Sequence, residues 1–138
     1  MLRALLLCLT FALPAAAQPA VTVEDVAEIR AVINRQIEAF RRDDAREAFA
    51  LVSPGVQQTF GTPERFLDVV RVSYRAVYRP ATVAFLGLTV MGQDAVQQVQ
   101  IIDRAGSVWL AYYAMQRQRD GSWRTNGCLL ERFTGTQT

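Results

Sequence analysis

This chain predicts an α+β fold: three N-terminal helices packed on a curved, four-stranded antiparallel β-meander. Three observations carry that prediction. Every segment before Arg79-Pro80 spaces its apolar residues at helical intervals. Every segment after it shows two-residue alternation or the short apolar runs of strands. The links between those later segments are only three to five residues long, and one holds Asp120-Gly121, the strongest hairpin signal in the chain. Links that short force neighbouring strands to run antiparallel.

The first residues read as an export signal rather than as structure. Met1-Leu2-Arg3 is a cationic start, Ala4 to Leu13 is an apolar run, Pro14 breaks it, and Ala15-Ala16-Ala17 offers the small residues a signal peptidase needs. The run is shorter than the roughly 20 apolar residues that span a bilayer. Cleavage after Ala17 removes 17 of 138 residues and leaves 121, from Gln18 onward. The expectation is a signal peptide over 1–17, a single α+β domain over 18–138, and a periplasmic or secreted protein with no membrane contact after cleavage. Cys8 lies inside the apolar run rather than at its end, so lipid attachment is not expected. Loss of Cys8 leaves Cys128 alone, which excludes an intramolecular disulfide.

The helices follow in order. Thr22 caps the first, with Glu24 and Asp25 in the turn where the helix dipole favours negative charge. Val26, Ile29, Ile33, Ile37 and Phe40 form its apolar stripe, with Arg30 at the stripe's edge and Glu38–Arg42 as a surface pair. Asp44 with Glu47 three residues on starts a second helix, which Ser53-Pro54-Gly55 stops. Val56 to Phe60 reads as a connector of at most one turn. Thr62-Pro63-Glu64 opens the third helix, and Pro80 ends it at Arg79. On one continuous wheel, Phe66, Val70, Tyr74 and Val77 share an arc with Tyr78 at its edge, while Asp68, Arg71, Arg75 and Arg79 fall opposite. That phasing turns the tyrosines toward the sheet and the arginines toward solvent.

Four strands follow, at Thr82–Met91, Ala95–Ile102, Ser107–Arg117 and Trp123–Arg132. Gln97, Gln98 and Gln100 read as the solvent side of the second, and Asn126 as that of the last.

The composition excludes several chemistries. Without the leader, fourteen arginines face thirteen carboxylates, which argues against nucleic acid as a main partner. There is no histidine, so the commonest general base and metal ligand is missing and no Ser-His-Asp triad can be built. Phosphate-binding glycine loops and Cys-x-x-Cys pairs are absent. Asp94, Asp103 and Asp120 sit in predicted turns, where aspartate serves turn geometry. No carboxylate is left on an apolar face where burial could tune it for acid–base work. No cofactor, metal or catalytic residue is therefore assigned.

Six residues remain as a candidate ligand pocket: Arg30, Tyr74, Tyr78, Tyr112, Trp123 and Cys128. Each has an ordinary reading beside it. Buried tyrosines and tryptophans are usually core residues whose polar tips find partners. An arginine at a stripe's edge usually snorkels. A lone cysteine usually packs as a small hydrophobe.

With these residues in view, the chain resembles the bacterial family called domain of unknown function 4864. The resemblance rests on Phe60-Gly61-Thr62-Pro63-Glu64-Arg65-Phe66-Leu67, Val77-Tyr78-Arg79-Pro80, Phe85-Leu86-Gly87-Leu88, Asp120-Gly121-Ser122-Trp123-Arg124 and Gly127-Cys128. It covers nearly all of the expected mature chain. Where similar chains carry prolines just before the Val-Tyr-Arg-Pro run, this one has Arg75-Ala76, which implies a longer third helix. The resemblance implies a cone similar to nuclear-transport-factor-2-like or cystatin-like folds, with a pocket between helices and sheet, and it implies no activity.

Three functions are consistent with this. The first is a non-catalytic domain binding a small apolar ligand or a protein partner. The second is an isomerase- or dehydratase-like enzyme, with Tyr74 or Tyr78 donating to a developing oxyanion, Arg30 as electrostatic partner and a carboxylate in reach. The third is a homodimer through the sheet's uncovered face, with Gln97 and Trp109 at the interface.

Overall fold

In a computed structural model, residues 20–135 are described, together with Ala12. The expected leader over 1–17 lies outside the described residues apart from Ala12. Five helices precede four strands: α1 (Val23–Arg41), α2 (Ala45–Ala50), α3 (Pro54–Phe60), α4 (Pro63–Ser73), α5 (Arg75–Tyr78), then β1 (Pro80–Met91), β2 (Asp94–Asp103), β3 (Val108–Arg117) and β4 (Trp123–Arg132). The strands form one antiparallel sheet in the order β1-β2-β3-β4, the meander that the short links require.

The cap chemistry places each helix start. Thr22 and Asp25 form a reciprocal capping box on α1. The side chains of Asp44, Ser53 and Thr62 accept from the third backbone N–H of α2, α3 and α4. α2 ends at Ala50 with Leu51 as its cap, and Ser53-Pro54 begins α3, so the expected connector is a two-turn helix. Gly61, with φ 81°, closes α3 in a conformation that costs an L side chain energy. At the other end of the chain, Gly121, with φ 86°, turns the β3–β4 hairpin.

The third helix departs from expectation. It breaks at Tyr74, whose φ and ψ of −129° and 45° leave the helical region although its N–H still bonds Val70 O. Arg75-Ala76 does not extend α4; these residues begin the separate turn α5. The break rotates everything after it, so a continuous wheel misplaces Tyr78 and Arg79. The two were expected on opposite faces, yet they meet at Asp43. The Tyr78 hydroxyl donates to Asp43 Oδ1, Arg79 Nη2 donates to Asp43 Oδ2 at 3.1 Å, and the guanidinium lies 3.9 Å from the Tyr78 ring centroid. Asp43 takes φ 53° in the turn after α1, a left-handed conformation that aspartate tolerates better than most residues. The expected Glu38–Arg42 pair is replaced by Arg41–Glu38 and Arg42–Asp44.

The core lies between the helices and one face of the sheet. Ile29, Ile33, Ile37 and Phe40 of α1 and Phe66 and Val70 of α4 pack on Val99, Ile101, Ala111, Tyr113 and Met115. Each large apolar side chain fully buried here is worth roughly 1.5–3 kcal/mol. Gln97 belongs to this face as well, a correction to its reading as a solvent residue. It shares strand parity with Val99 and Ile101, and it is fully buried. Its Nε2 donates to Leu86 O at 3.0 Å, Gly87 O at 3.3 Å and Gln98 O at 2.9 Å, where the β1–β2 register shifts between Phe85 and Leu88. Trp109 also shares the helix-facing parity, with its indole N–H on Asp103 at 2.9 Å. Neither residue is available to the interface for which it was expected.

Candidate functional site

A cavity of about 220 Å³ lies where the helical layer parts from the β3–β4 half of the sheet. Gln36 and Phe40 of α1, Phe66 and Val70 of α4, and Val77 of α5 wall it on one side. Tyr113 of β3 and Thr125 to Cys128 of β4 wall it on the other. Local chemistry fixes both sides. Ser53 N donates to Thr125 O at 2.8 Å and Thr125 N to Leu51 O at 2.9 Å, tying the α2–α3 junction to β4. Gln36 Nε2 donates to Ala48 O and to Thr125 Oγ1, each at 3.1 Å, which joins α1 to the same place. The β3–β4 register shifts between Ala114 and Met115, opposite Gly127, beside the cavity wall.

The lining is mostly apolar or aromatic, and one of its residues, Tyr113, stands out. The Tyr113 hydroxyl is buried and has no hydrogen-bond partner. Burial pushes its phenol well above the ordinary tyrosine range, and the nearby Cys128 adds to the shift. Cys128 itself is pushed up to about 12 by burial. It is therefore a neutral thiol at physiological pH and a poor nucleophile. No residue lining this cavity is a carboxylate.

Of the six residues proposed from sequence, the structure brings two to the cavity, Tyr74 and Cys128. Tyr78 is committed to Asp43, and that hydrogen bond raises the phenol while it lowers the carboxyl. Arg30 is exposed, with its guanidinium 5.5 Å from the Phe85 ring centroid, as a snorkelling side chain lies. Tyr112 faces away from the helices, because Ala111, Tyr113 and Met115 hold the buried parity of β3. Trp123 is buried elsewhere. Its indole N–H donates to Asp25 Oδ1 at 2.9 Å, and Arg117 stacks on its ring at 4.5 Å. Gln36 and Thr125 were missed, and Tyr113, one of the strand aromatics able to line a site, was passed over for its neighbour Tyr112. Only strand parity marked Tyr113, and its neighbours on both faces are apolar.

A second concavity of about 710 Å³ adjoins the first. Its walls include Arg75 and Arg79 of α5 and its cap, Asp103 and Arg104 of the β2–β3 turn, and Trp109. Tyr74 and Cys128 line both spaces. Asp103 is held below the usual carboxylate range, first by the Trp109 indole N–H and then, against burial, by the backbone N–H groups of Ser107 and Ala105. It is thus a turn-forming anion with its acceptors occupied. Among the described residues no group of three or more His, Cys, Asp or Glu side chains is arranged to hold a metal ion, and no helix is long and apolar enough to cross a membrane.

Neither a curated protein nor a solved structure matches the chain. A family model does, over residues 22–138, from the α1 cap to the last residue. The chain belongs to the family described as Domain of unknown function (DUF4864).

Proposed function

We propose that this is a non-catalytic domain that holds a small, mainly apolar molecule in the cavity between α1, α4 and β3–β4. One observation carries the reading: an apolar cavity walled in part by Tyr113, whose buried hydroxyl has no hydrogen-bond partner. An orphaned buried hydroxyl costs about 1–3 kcal/mol, and a ligand with one hydrogen-bonding atom would recover it. Benzene occupies an apolar cavity of roughly 150 Å³, so this one suits a ligand portion of about nine non-hydrogen atoms. The enzyme alternative keeps Tyr74 at the cavity but finds no carboxylate in that lining, its Tyr78 donates to Asp43, and its Arg30 lies on the Phe85 ring.

The test is thermal denaturation with small apolar compounds such as 1-octanol. A ligand at about 100 times its Kd should stabilise the wild type by about 2.7 kcal/mol. Val70→Phe, which fills the cavity, and Val69→Trp, which blocks it from its more exposed side, should keep the fold and lose the stabilisation. Equal stabilisation of wild type and both variants would reject the site.

A homodimer through the sheet is a second reading, favoured by the outer face. Val96, Ile102, Leu110, Tyr112 and Leu129 lie on the side away from the helices, in place of Gln97 and Trp109. Light scattering that reports a monomer over a wide concentration range would reject it. We also place the protein outside the cytoplasm and assign it to the nuclear-transport-factor-2-like cones, on the leader and on the helices-over-meander layout. Intact mass of the exported product should give a chain starting at Gln18. A full-length mass would refute the export reading.

A further inference from the structure

We propose that the ligand is an amphiphile with one terminal carboxylate, its apolar body in the cavity and its head in the adjoining arginine groove. The inference rests on the binding reading above and adds the chemical class. Tyr74 and Cys128 form part of the wall of both spaces, so the cavity and the groove lie side by side and one molecule that passes these two side chains could occupy both. Three arginines line that groove against one carboxylate. They are not equivalent. Arg79 is engaged by Asp43 and by the carbonyls of Phe40 and Tyr78. Arg75 and Arg104 are exposed and pair with no carboxylate among the described residues. Two guanidiniums left free in a groove that Trp109 also lines suit a planar monoanion, which arginine can grip through two parallel N–H groups.

Asp103 keeps the groove from being purely cationic. Its acceptors are taken by Trp109, Ala105 and Ser107, yet its charge stays in the groove. A doubly charged phosphate monoester would meet twice the repulsion from Asp103 but also twice the attraction to the arginines, so octyl phosphate is the control for the head group. The apolar space sets the length at about nine non-hydrogen atoms, by the benzene comparison. A medium-chain or phenylalkyl carboxylate fits that length and the planar grip of a guanidinium.

Calorimetric titration of octanoate, 1-octanol and octyl phosphate into the mature protein decides this. Octanoate should bind roughly tenfold more tightly than octanol in low salt, with the preference shrinking as salt screens the exposed arginines. Arg75→Gln with Arg104→Gln should bring octanoate down to the level of octanol. Arg46→Gln, which removes an exposed charge from α2 outside both spaces, should keep the preference. Equal binding of octanoate and octanol to the wild type would overturn the head-group assignment and leave the apolar cavity standing. Octyl phosphate binding more tightly than octanoate would overturn the carboxylate. Failure of all three ligands to bind would overturn this inference and the cavity reading together.

Discussion

Asp25→Ala is expected to cost the fold about 3 kcal/mol, the lower end of what breaking a buried ion pair costs. Its carboxylate joins the first helix to the last hairpin. Oδ1 accepts from Trp123 Nε1 at 2.9 Å and Arg117 Nη1 at 3.1 Å, while Oδ2 accepts from Thr22 N at 2.8 Å and Arg117 Nη2 at 3.1 Å. The Arg117 and Asp25 side chains are only 10% and 13% exposed. Alanine would leave that guanidinium, whose Nε already lacks a partner, with no counter-charge, and would remove half of the α1 capping box. The pH dependence follows from the direction of the shift. The Thr22 backbone N–H, then Trp123, then Arg117 hold Asp25 far below the usual carboxylate range in the folded state. The stability it contributes is therefore complete above the unfolded value of about 3.9. It is lost as pH falls through the lower folded value. Urea unfolding should show the gap between wild type and Asp25→Ala narrowing by about 1 kcal/mol from pH 7 to pH 3. A gap independent of pH would show that the carboxylate's charge is not what matters.

Gln97→Ala is expected to cost about 2–3 kcal/mol, because it opens a void in the core and strips the carbonyls at the β1 irregularity of their donors. Gln97→Leu separates the two effects. It restores most of the volume and removes the unpartnered Oε1, but it leaves Leu86 O and Gly87 O without the amide. If the amide holds the bulge, Gln97→Leu should still speed hydrogen exchange of the backbone amides at Leu86 to Leu88. If it only fills space, Gln97→Leu should match the wild type in both stability and exchange.

These two residues also show where sequence reasoning stopped. Strand limits and pairing were legible, because Gly92, Gly106 and Asp120-Gly121 punctuate the chain and the links are short. Helix starts were legible from Thr22, Asp44 and Thr62. Gln97 was misread because residue type was weighed over parity: two glutamines of one face sit beside a third on the other. Tyr112 and Tyr113 could not be told apart, since Leu110 and Ala114 make the outer parity of β3 as apolar as the inner one. The break at Tyr74 carries no glycine or proline, so nothing local announced that Tyr78 and Arg79 would turn together onto Asp43. The Asp25–Arg117 pair joins residues 92 apart, and no local pattern encodes such a contact.

The cavity has the same character: its walls come from helices and strands far apart in sequence, held together where Leu51 to Ser53 meets Thr125. The measurement that tests its role most directly is an NMR titration of the mature protein with octanoate, read through intermolecular NOEs. The account predicts contacts from the ligand's chain to Phe66, Val70, Val77 and Tyr113, with shift changes at the Arg75 and Arg104 side chains. Contacts confined to the outer sheet face, at Leu110, Tyr112 and Leu129, would contradict it.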